Sequence, residues 1–220
     1  MEDIIEIFSS IQGEGKFAGC RQVFVRLADC NLNCAYCDTD FSRKNNFMTA
    51  EQVADTIKKY SEQVPIHSVS FTGGEHLLHS KFIYDVSKLV DKKIFLETNG
   101  TLYNELEKIL SAIDIISMDI KLPSVTGKNY FDLHKKFIEI ACAKDLYIKI
   151  VVSAETTEDE FIAAIDLIPK NILLVIQPVT PVGKIKIASA EKILHLQALA
   201  LKKISDVRVI PQTHKIISVR

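Results

Sequence analysis

The sequence contains no tryptophan and only six prolines and eight glycines among 220 residues. No Pro/Gly/Ser-rich linker divides the chain, so we expect one domain spanning residues 1–220. The longest apolar run, residues 172–176, is far shorter than the roughly 20 residues that a membrane helix needs. The first residues are acidic where a secretory signal would be basic, which favours a soluble cytoplasmic protein.

An excess of charge of either sign is also missing. The chain has 27 basic and 28 acidic residues, which gives a formal net charge of −1. A protein with this balance has no general electrostatic attraction to a polyanion. We therefore expect no direct contact with nucleic acid and no binding to a membrane surface.

The five cysteines do not fit a disulfide scaffold, because their number is odd and their spacing is uneven. Three of them, Cys30, Cys34 and Cys37, lie within eight residues on a stretch rich in asparagine and aspartate. That arrangement is typical of metal ligands. Cys142 falls in an apolar helical pattern, and we expect it to be a small core residue.

Short β-branched runs alternate with helical patterns along most of the chain, after an N-terminal strand pair at 4–8 and 23–27. The later predicted strands are 68–72, 94–97, 115–119, 147–152, 173–177 and 207–210. The predicted helices lie near 50–60, 81–90, 103–111, 130–143, 157–167 and 189–202. Capping boxes at Thr49 and Thr157 and an N-cap at Ser189 mark three of the helix starts.

This alternation predicts right-handed βαβ units and an α/β fold with a parallel sheet. The repeating strands are too few for a closed eight-stranded barrel. An open wound sheet and an incomplete (partial) TIM-like barrel both fit, and we predict the incomplete barrel. In either fold, the chemistry should collect at the carboxyl ends of the strands.

The cysteines follow the spacing C-x3-C-x2-C, which suits zinc or an iron–sulfur cluster. Both sites normally use four ligands, so three cysteines leave one position open. A histidine could complete a zinc site, and His67, His76 and His79 are the candidates. In a four-iron cluster, the open iron would itself be the functional feature, and we favour this alternative.

The cysteine spacing, with the aromatic Tyr36 before the last cysteine, resembles the signature of the radical S-adenosylmethionine (SAM) superfamily. Thr72-Gly73-Gly74-Glu75, at the end of a predicted strand, resembles the glycine motif with which that family contacts SAM. The resemblance implies a [4Fe-4S] cluster held by Cys30, Cys34 and Cys37, whose fourth iron chelates the amino and carboxylate groups of SAM.

Further segments resemble one family within this superfamily, the 7-carboxy-7-deazaguanine synthases. These segments are Ile11-Gln12-Gly13-Glu14-Gly15, Arg26, Cys37-Asp38-Thr39, Glu97-Thr98-Asn99-Gly100, Gln177-Pro178 and Pro211-Gln212-Thr213-His214-Lys215. The implied reaction converts 6-carboxy-5,6,7,8-tetrahydropterin to 7-carboxy-7-deazaguanine with loss of ammonia. It belongs to 7-deazapurine (queuosine-type) biosynthesis, and SAM is used catalytically.

The resemblance also implies roles for individual residues, none of them catalytic beyond positioning the cofactor. Thr39 would bind Mg²⁺. The residues that would contact SAM are Tyr36, Cys37, Asp38, Gly74, Glu75, Asp119, Ile120, Lys121 and Gln177. The residues that would contact the substrate are Ile11, Gln12, Gly13, Glu14, Arg26, Thr72 and Arg220. The implied partners are a flavodoxin or ferredoxin reductant and a second copy of the chain in a homodimer.

One position departs from the family pattern, because His76 follows the glycine motif where the family usually has proline. Two alternatives to the synthase remain. A glycyl-radical-enzyme activase would share the cysteine spacing and the glycine motif, but it would lack the other matching segments. A non-catalytic zinc-binding module is more distant, and the colour of the purified protein would distinguish it.

Overall fold

The computed structural model describes residues 1–37, 40, 42 and 44–219. Its strands form one sheet in the order β3-β1-β2-β4-β5-β6-β7-β8-β9. The strands are β1 (Glu2–Ile11), β2 (Arg21–Leu27), β3 (Phe47–Met48), β4 (Ser68–Gly73), β5 (Ile94–Thr98), β6 (Ile115–Asp119), β7 (Asp145–Val152), β8 (Leu173–Pro178) and β9 (Val207–Val209). β1 runs antiparallel to both of its neighbours, and every pair from β2 to β9 is parallel.

All six predicted helices are present, and their caps are as expected. The helices are α1 (Ala50–Gln63), α2 (Ser80–Ser87), α3 (Tyr103–Ile109), α4 (Pro123–Thr126), α5 (Phe131–Ala141), α6 (Glu158–Ile165), α7 (Ala190–Leu201) and α8 (Thr213–Ile216). Thr49 and Thr157 form complete capping boxes, and Ser189 accepts a hydrogen bond from a backbone amide of α7. The unpredicted β3, α4 and α8 are too short to show a period.

The prediction of an incomplete barrel is confirmed. β2 joins the six repeating strands, so the sheet has one more parallel strand than the repeat alone indicates. The sheet is open, and within the described residues β3 and β9 are its edges. In the part of the chain that the structure describes, no helix is both long and apolar enough to cross a membrane.

Side chains alternate between two faces along each central strand, as the pleat of a strand requires. In β7, Ile148 and Ile150 belong to the large core beneath the helices, whereas Tyr147 and Lys149 lie on the inner face. That inner face is apolar where the strands begin and polar where they end. Its polar end consists of Thr72 on β4, Glu97 on β5, Ser117 and Asp119 on β6, Lys149 on β7 and Gln177 on β8.

A short turn closes the apolar end of the inner face. Residues 15–17 form one turn of 3₁₀ helix, and Phe17 packs edge-on against Phe95 with ring centroids 5.9 Å apart. Gly15 has φ +65°, and a Cβ at that position would lie 2.3 Å from the hydroxyl oxygen of Tyr147. Only glycine fits this turn, because both the dihedral angle and the space exclude a side chain.

The prediction that Cys142 lies in the core is wrong. α5 ends at Ala141, and its buried stripe consists of His134, Phe137, Ile138 and Ala141. Cys142 is the residue after the helix, and it is exposed. The apolar pattern of the helix is real, but it stops one residue before the cysteine.

His134 links α5 to the end of β5 from inside the core. Its side chain is fully buried, and its Nε2 lies 3.1 Å from the backbone carbonyl oxygen of Asn99. Burial disfavours the charged imidazolium and lowers the pKa of His134 to about 4. The folded protein therefore holds His134 neutral at pH values where the unfolded chain already binds a proton.

This difference in proton binding predicts that the free energy of unfolding decreases as the pH falls. As the pH falls from about 6.5 to about 4, the unfolded state takes up the proton first, which destabilises the fold by on the order of 2–3 kcal/mol. His134→Gln should remove most of this dependence of the free energy of unfolding on pH. His195→Gln, at an exposed histidine, should keep it. Urea unfolding of the metal-free protein at several pH values measures the effect, and equal slopes in all three proteins would contradict it.

Candidate active site

A cavity of about 790 Å³ opens at the carboxyl ends of the parallel strands, a size typical of small-molecule sites. Its walls come from β1, β2, the strand ends, the C-terminal residues and the cysteine loop, which we define as the segment between β2 and β3. The predicted site residues that line it are Ile11, Gln12, Glu14, Arg26, Cys30, Cys34, Tyr36, Cys37, Thr72, Gly74, Asp119, Lys121 and Gln177. The structure thus brings most of them to one place.

Three of the described site residues are not among the residues that line the cavity. Gly13, Glu75 and Ile120 lie behind the wall, and Ile120 is fully buried. Asp38, Thr39 and Arg220 fall outside the described residues, so their assignments stay predictions.

Cys30, Cys34 and Cys37 all face this cavity from the cysteine loop. The loop is held to α4 by a backbone hydrogen bond from Ala35 to Val125 (2.9 Å). Burial raises the pKa of the Cys30 and Cys34 thiols, while the charge of Lys121 opposes that rise. Such thiols lose their protons when a metal binds.

Among the described residues, no three His, Cys, Asp or Glu side chains converge closely enough to hold a single metal ion.

The histidines considered for a zinc site have other partners. His79 contacts the Glu2 carboxylate (2.8 Å) and the carbonyl oxygen of Ala28 (3.1 Å). His67 packs against Phe17 at the opposite end of the sheet, with tilted rings whose centroids are 4.8 Å apart. Their positions favour the iron–sulfur alternative over zinc.

The glycine turn after β4 contacts the start of the cysteine loop. Gly73 has φ +121°, and a Cβ on Gly74 would lie 1.6 Å from the backbone oxygen of Asp29. Glu75 N donates to that same Asp29 oxygen (3.1 Å). Glycine is therefore required at both positions, and the turn packs closely against the start of the cysteine loop.

Glu75 is a buried structural carboxylate rather than part of the cavity wall. It accepts hydrogen bonds from the backbone nitrogen of Leu77 (3.2 Å), from Thr98 Oγ1 (2.8 Å) and from the backbone nitrogen of Asn99 (2.7 Å). These bonds tie the glycine turn to the end of β5.

His76, which departs from the family pattern, serves a similar purpose. It is 2 % exposed, and its Nδ1 lies 2.6 Å from the carbonyl oxygen of Glu97. Burial lowers its pKa, so the neutral ring donates from Nδ1. The bond connects the ends of β4 and β5 where a proline would offer no donor.

Alternating charges cross the inner face of the sheet. Lys149 forms an ion pair with Glu14 and lies 3.5 Å from Asp119 Oδ2, and Lys121 Nζ lies 2.8 Å from the same oxygen. Burial alone would raise the pKa of Glu14, but attraction to Lys149 and hydrogen bonds from Gln212 and Lys149 lower it to about 2. Lys121 also lies over the Tyr36 ring, 5.2 Å from its centroid.

A second carboxylate, Glu97, lies beside this charge network. It accepts hydrogen bonds from Gln12 Nε2 (2.9 Å) and Thr72 Oγ1 (3.0 Å). Burial, followed by repulsion from Glu14, raises the pKa of Glu97. Gln12, Thr72 and Glu97 thus form one hydrogen-bonded group in the cavity wall.

Gln177 and Asp119, which line the cavity, have unused hydrogen-bonding capacity. Gln177 is 3 % exposed and Asp119 is 7 % exposed. Within the described chain, Gln177 Oε1 and Asp119 Oδ1 have no hydrogen-bond partner. Such atoms are costly unless a ligand donates to them, so they fit a cavity that binds a molecule with amino or hydroxyl groups.

Arg26 contributes its positively charged guanidinium group to the cavity. Its Nε lies 2.9 Å from Glu6 Oε1, and its guanidinium carbon lies 5.7 Å from the centroid of the Phe8 ring. The guanidinium remains part of the cavity wall, which suits recognition of a planar carboxylate.

The C-terminal segment completes the wall beside Gln12 and Glu14. Thr213 donates to the Gly13 carbonyl through its nitrogen (2.8 Å) and its hydroxyl (3.0 Å), and Gln212 Nε2 donates to Glu14 Oε1 (2.7 Å). A Cβ on Gly13 would lie 1.9 Å from the His214 ring. This close packing explains the glycine at position 13.

Sequence reasoning missed Lys149 and the binding of Gln212 to Glu14. Lys149 pairs in register with Asp119 across β6 and β7, on the same face of the sheet. A charged residue inside an otherwise apolar strand was the available signal. No local sequence pattern predicts the contact of Gln212, because its partner Glu14 lies 198 positions away.

Comparison with known proteins agrees with this geometry. The model of the radical SAM superfamily matches residues 25–168, more than half of the chain. The 7-carboxy-7-deazaguanine synthase of Geobacter sulfurreducens is 37% identical, over 97% of this chain and 96% of its own length. The same enzyme from Archaeoglobus fulgidus is 37% identical, over 99% of both chains.

A solved structure shows the same fold. The crystal structure of QueE from Escherichia coli matches with a TM-score of 0.66 at 20% identity, covering 97% of this chain and 94% of that one. The chain described here belongs to the radical SAM superfamily. Within it, the chain belongs to the family of 7-carboxy-7-deazaguanine synthases.

Lys149→Met tests the charge network. The change leaves Glu14 and Asp119 without their shared cation, and breaking a buried pair typically costs about 3–5 kcal/mol. The pKa of Glu14 should then rise, because burial is no longer opposed by Lys149. The loss of stability should be greatest near neutral pH and should shrink as the pH falls and Glu14 takes up a proton.

Lys184→Met, at an exposed lysine, is the matched control and should change the free energy of unfolding by less than about 0.5 kcal/mol. Urea unfolding of both variants at neutral and acidic pH supplies the comparison. Equal stability of the two variants at neutral pH would refute the network.

Proposed function

We propose that the protein converts 6-carboxy-5,6,7,8-tetrahydropterin to 7-carboxy-7-deazaguanine with loss of ammonia, and that it uses SAM catalytically. The observation that carries the proposal is one cavity that joins three cysteines to a polar wall suited to a small, charged, hydrogen-bonding substrate. The printed name of the relatives gives the same product.

Cys30, Cys34 and Cys37 would hold a [4Fe-4S] cluster, with one iron free of protein ligands. When bound and reduced, the cluster supplies the electron that cleaves SAM and starts radical chemistry on the substrate. The protein's own contribution is to hold the reacting groups in contact and to exclude water.

SAM would lie between the cysteine loop and the ends of β4, β6 and β8. Gly74 would present its backbone to the ligand, because it lines the cavity at the end of β4. Asp119 and Gln177 offer the unused acceptor oxygens described above, which suit the amino and hydroxyl groups of SAM. Tyr36, Cys37, Asp38 and Lys121 complete the proposed SAM site, and Glu75 and Ile120, which are buried and do not line the cavity, would support it.

The pterin would lie on the side of the cavity formed by β1, β2 and β5. Arg26 would bind the substrate carboxylate, exchanging part of its contact with Glu6 for the ligand. Glu97, held by Gln12 and Thr72, would accept hydrogen bonds from the amino-pyrimidine edge of the ring. The remaining proposed substrate contacts are Ile11, Glu14 and Arg220, and Gly13, which does not line the cavity, would support them.

The other assignments are supported by resemblance and by chemistry. Thr39 would bind Mg²⁺, because a hydroxyl together with substrate oxygens suits this hard cation. A flavodoxin or ferredoxin would reduce the cluster, and the chain would form a homodimer. The reducing conditions that keep thiolates available as ligands fit a cytoplasmic location.

Anaerobic reconstitution tests the reaction directly. The reconstituted protein, supplied with SAM, a reductant, Mg²⁺ and 6-carboxy-5,6,7,8-tetrahydropterin, should form 7-carboxy-7-deazaguanine, detected by mass spectrometry. Ammonia should appear in equal amount. An intact cluster without this product would overturn the proposed reaction.

Cys34→Ala tests the cluster ligands. It should abolish reductive SAM cleavage, because the cluster loses one of only three protein ligands. The exposed Cys142 provides the control, and Cys142→Ala should cleave SAM at the wild-type rate. Circular dichroism should show that both variants keep the fold. SAM cleavage at the wild-type rate by the Cys34 variant would disprove the ligand assignment.

A further inference from the structure

Three polar side chains form a closed set of hydrogen bonds beside Cys30, the first of the three proposed cluster ligands. Asn31 Nδ2 donates to Thr101 Oγ1 (2.8 Å), Thr101 Oγ1 donates to Asn99 Oδ1 (2.6 Å), and Asn99 Nδ2 donates to Asn31 Oδ1 (2.9 Å). We call these three residues the amide triad. Asn31 directly follows Cys30, whereas Asn99 and Thr101 follow the end of β5.

The β5 side of the amide triad is a fixed anchor. Asn99 and Thr101 are each 6 % exposed. The backbone nitrogen of Asn99 donates to Glu75 Oε2 (2.7 Å), its carbonyl lies 3.1 Å from His134 Nε2, and its Oδ1 accepts from Thr101 N (3.1 Å). With its Nδ2 bound to Asn31, every polar group of Asn99 has a partner, so its side chain has one orientation.

The cysteine-loop side, in contrast, is open to solvent. Asn31 is an exposed residue, and an exposed asparagine is ordinarily free to rotate in water. Both polar atoms of its side chain are nevertheless bound to the anchor. The bonds therefore restrain the loop at the position next to Cys30, where the chain has left the sheet.

Cys30 lies close to the glycine turn. A Cβ on Gly74 would lie 3.2 Å from Cys30 Cβ, so a side chain at position 74 would crowd Cys30. The backbone bond from Glu75 to Asp29 fixes the chain just before Cys30, and the amide triad fixes it just after. A shift at Asn31 would move Cys30 relative to the turn.

We propose that the amide triad is a positioning device, which fixes Cys30 against the glycine turn and so sets how the cluster is presented to SAM. The inference rests on the proposed function, because it requires a cluster in the cysteine loop. The triad acts through Cys30, so Asn31, Asn99 and Thr101 are positioning residues. Residues of this kind commonly change metal affinity or activity by about tenfold or more.

Two variants break the amide triad from opposite sides. Asn31→Ala removes the exposed partner without disturbing the core, and Thr101→Val removes the hydroxyl at nearly constant shape. Thr101→Ser restores the hydroxyl. Asn33→Ala is the matched control, because Asn33 is an exposed asparagine of the same loop that forms no side-chain hydrogen bond with another described residue.

Each anaerobically reconstituted holoenzyme is characterised by three measurements. These are its iron content, the electron paramagnetic resonance spectrum of the reduced cluster with and without SAM, and the dissociation constant of SAM. Asn31→Ala and Thr101→Val should keep their iron, bind SAM about tenfold more weakly and lose part of the SAM-induced change in g values. The loss in the double variant should be smaller than the sum of the two single losses, since both changes remove the bond between Asn31 and Thr101.

Thr101→Ser and Asn33→Ala should stay within about twofold of the wild type. Wild-type SAM affinity and g values in both Asn31→Ala and Thr101→Val would overturn the positioning role and leave the proposed function standing. A wild-type protein that assembles a cluster but shows no SAM-induced spectral change would overturn the proposed function, and this inference with it.

Discussion

The buried cation of Lys149 is the interaction on which the architecture of the site depends. A charge on the inner face of a sheet is costly unless it is paired, and Glu14 and Asp119 pair it from two directions. Glu14 lies in the loop after β1, Asp119 ends β6, and Lys149 belongs to β7. One ion cluster thus joins the N-terminal hairpin to the parallel strands, and Gln212 extends it to the end of the chain.

Because side chains alternate along the strands, one face of the sheet packs against the helices and the other face forms the cavity wall. The residues that face the helices are almost all aliphatic or aromatic, and they form the large core. The residues on the other face change from Phe95, Ile115 and Tyr147 at one end to Glu97, Asp119 and Lys149 at the other. Polar groups can therefore vary at the strand ends without affecting the packing beneath the helices.

Much of this could be predicted from the sequence, because the signals are local. The strands and long helices follow from periodicity, the helix starts follow from Thr49, Thr157 and Ser189, and the cysteine spacing indicates the cluster. Pairings between distant residues could not be predicted. Lys149 with Glu14 and the amide triad join residues that are far apart in the chain, and no local pattern fixes which partners meet.

The prediction that Cys142 lies in the core was wrong for a related reason. Hydrophobic periodicity identifies the buried face of α5, but it does not locate the last residue of the helix, so a cysteine one step beyond Ala141 is easily placed in the core. The departure at position 76 is also instructive. Histidine replaces a rigid turn residue with a hydrogen bond to Glu97, so a different physical device holds the ends of β4 and β5 together.

The contact between Thr213 and Gly13 has a consequence for biosynthesis. The two residues are 200 positions apart, and translation proceeds from the N-terminus at about 5–20 residues per second. The cysteine loop leaves the ribosome long before its opposite wall exists, so the nascent chain exposes its thiols while the pocket is still unfinished. That wall cannot close until Thr213 has been synthesised and has left the ribosome.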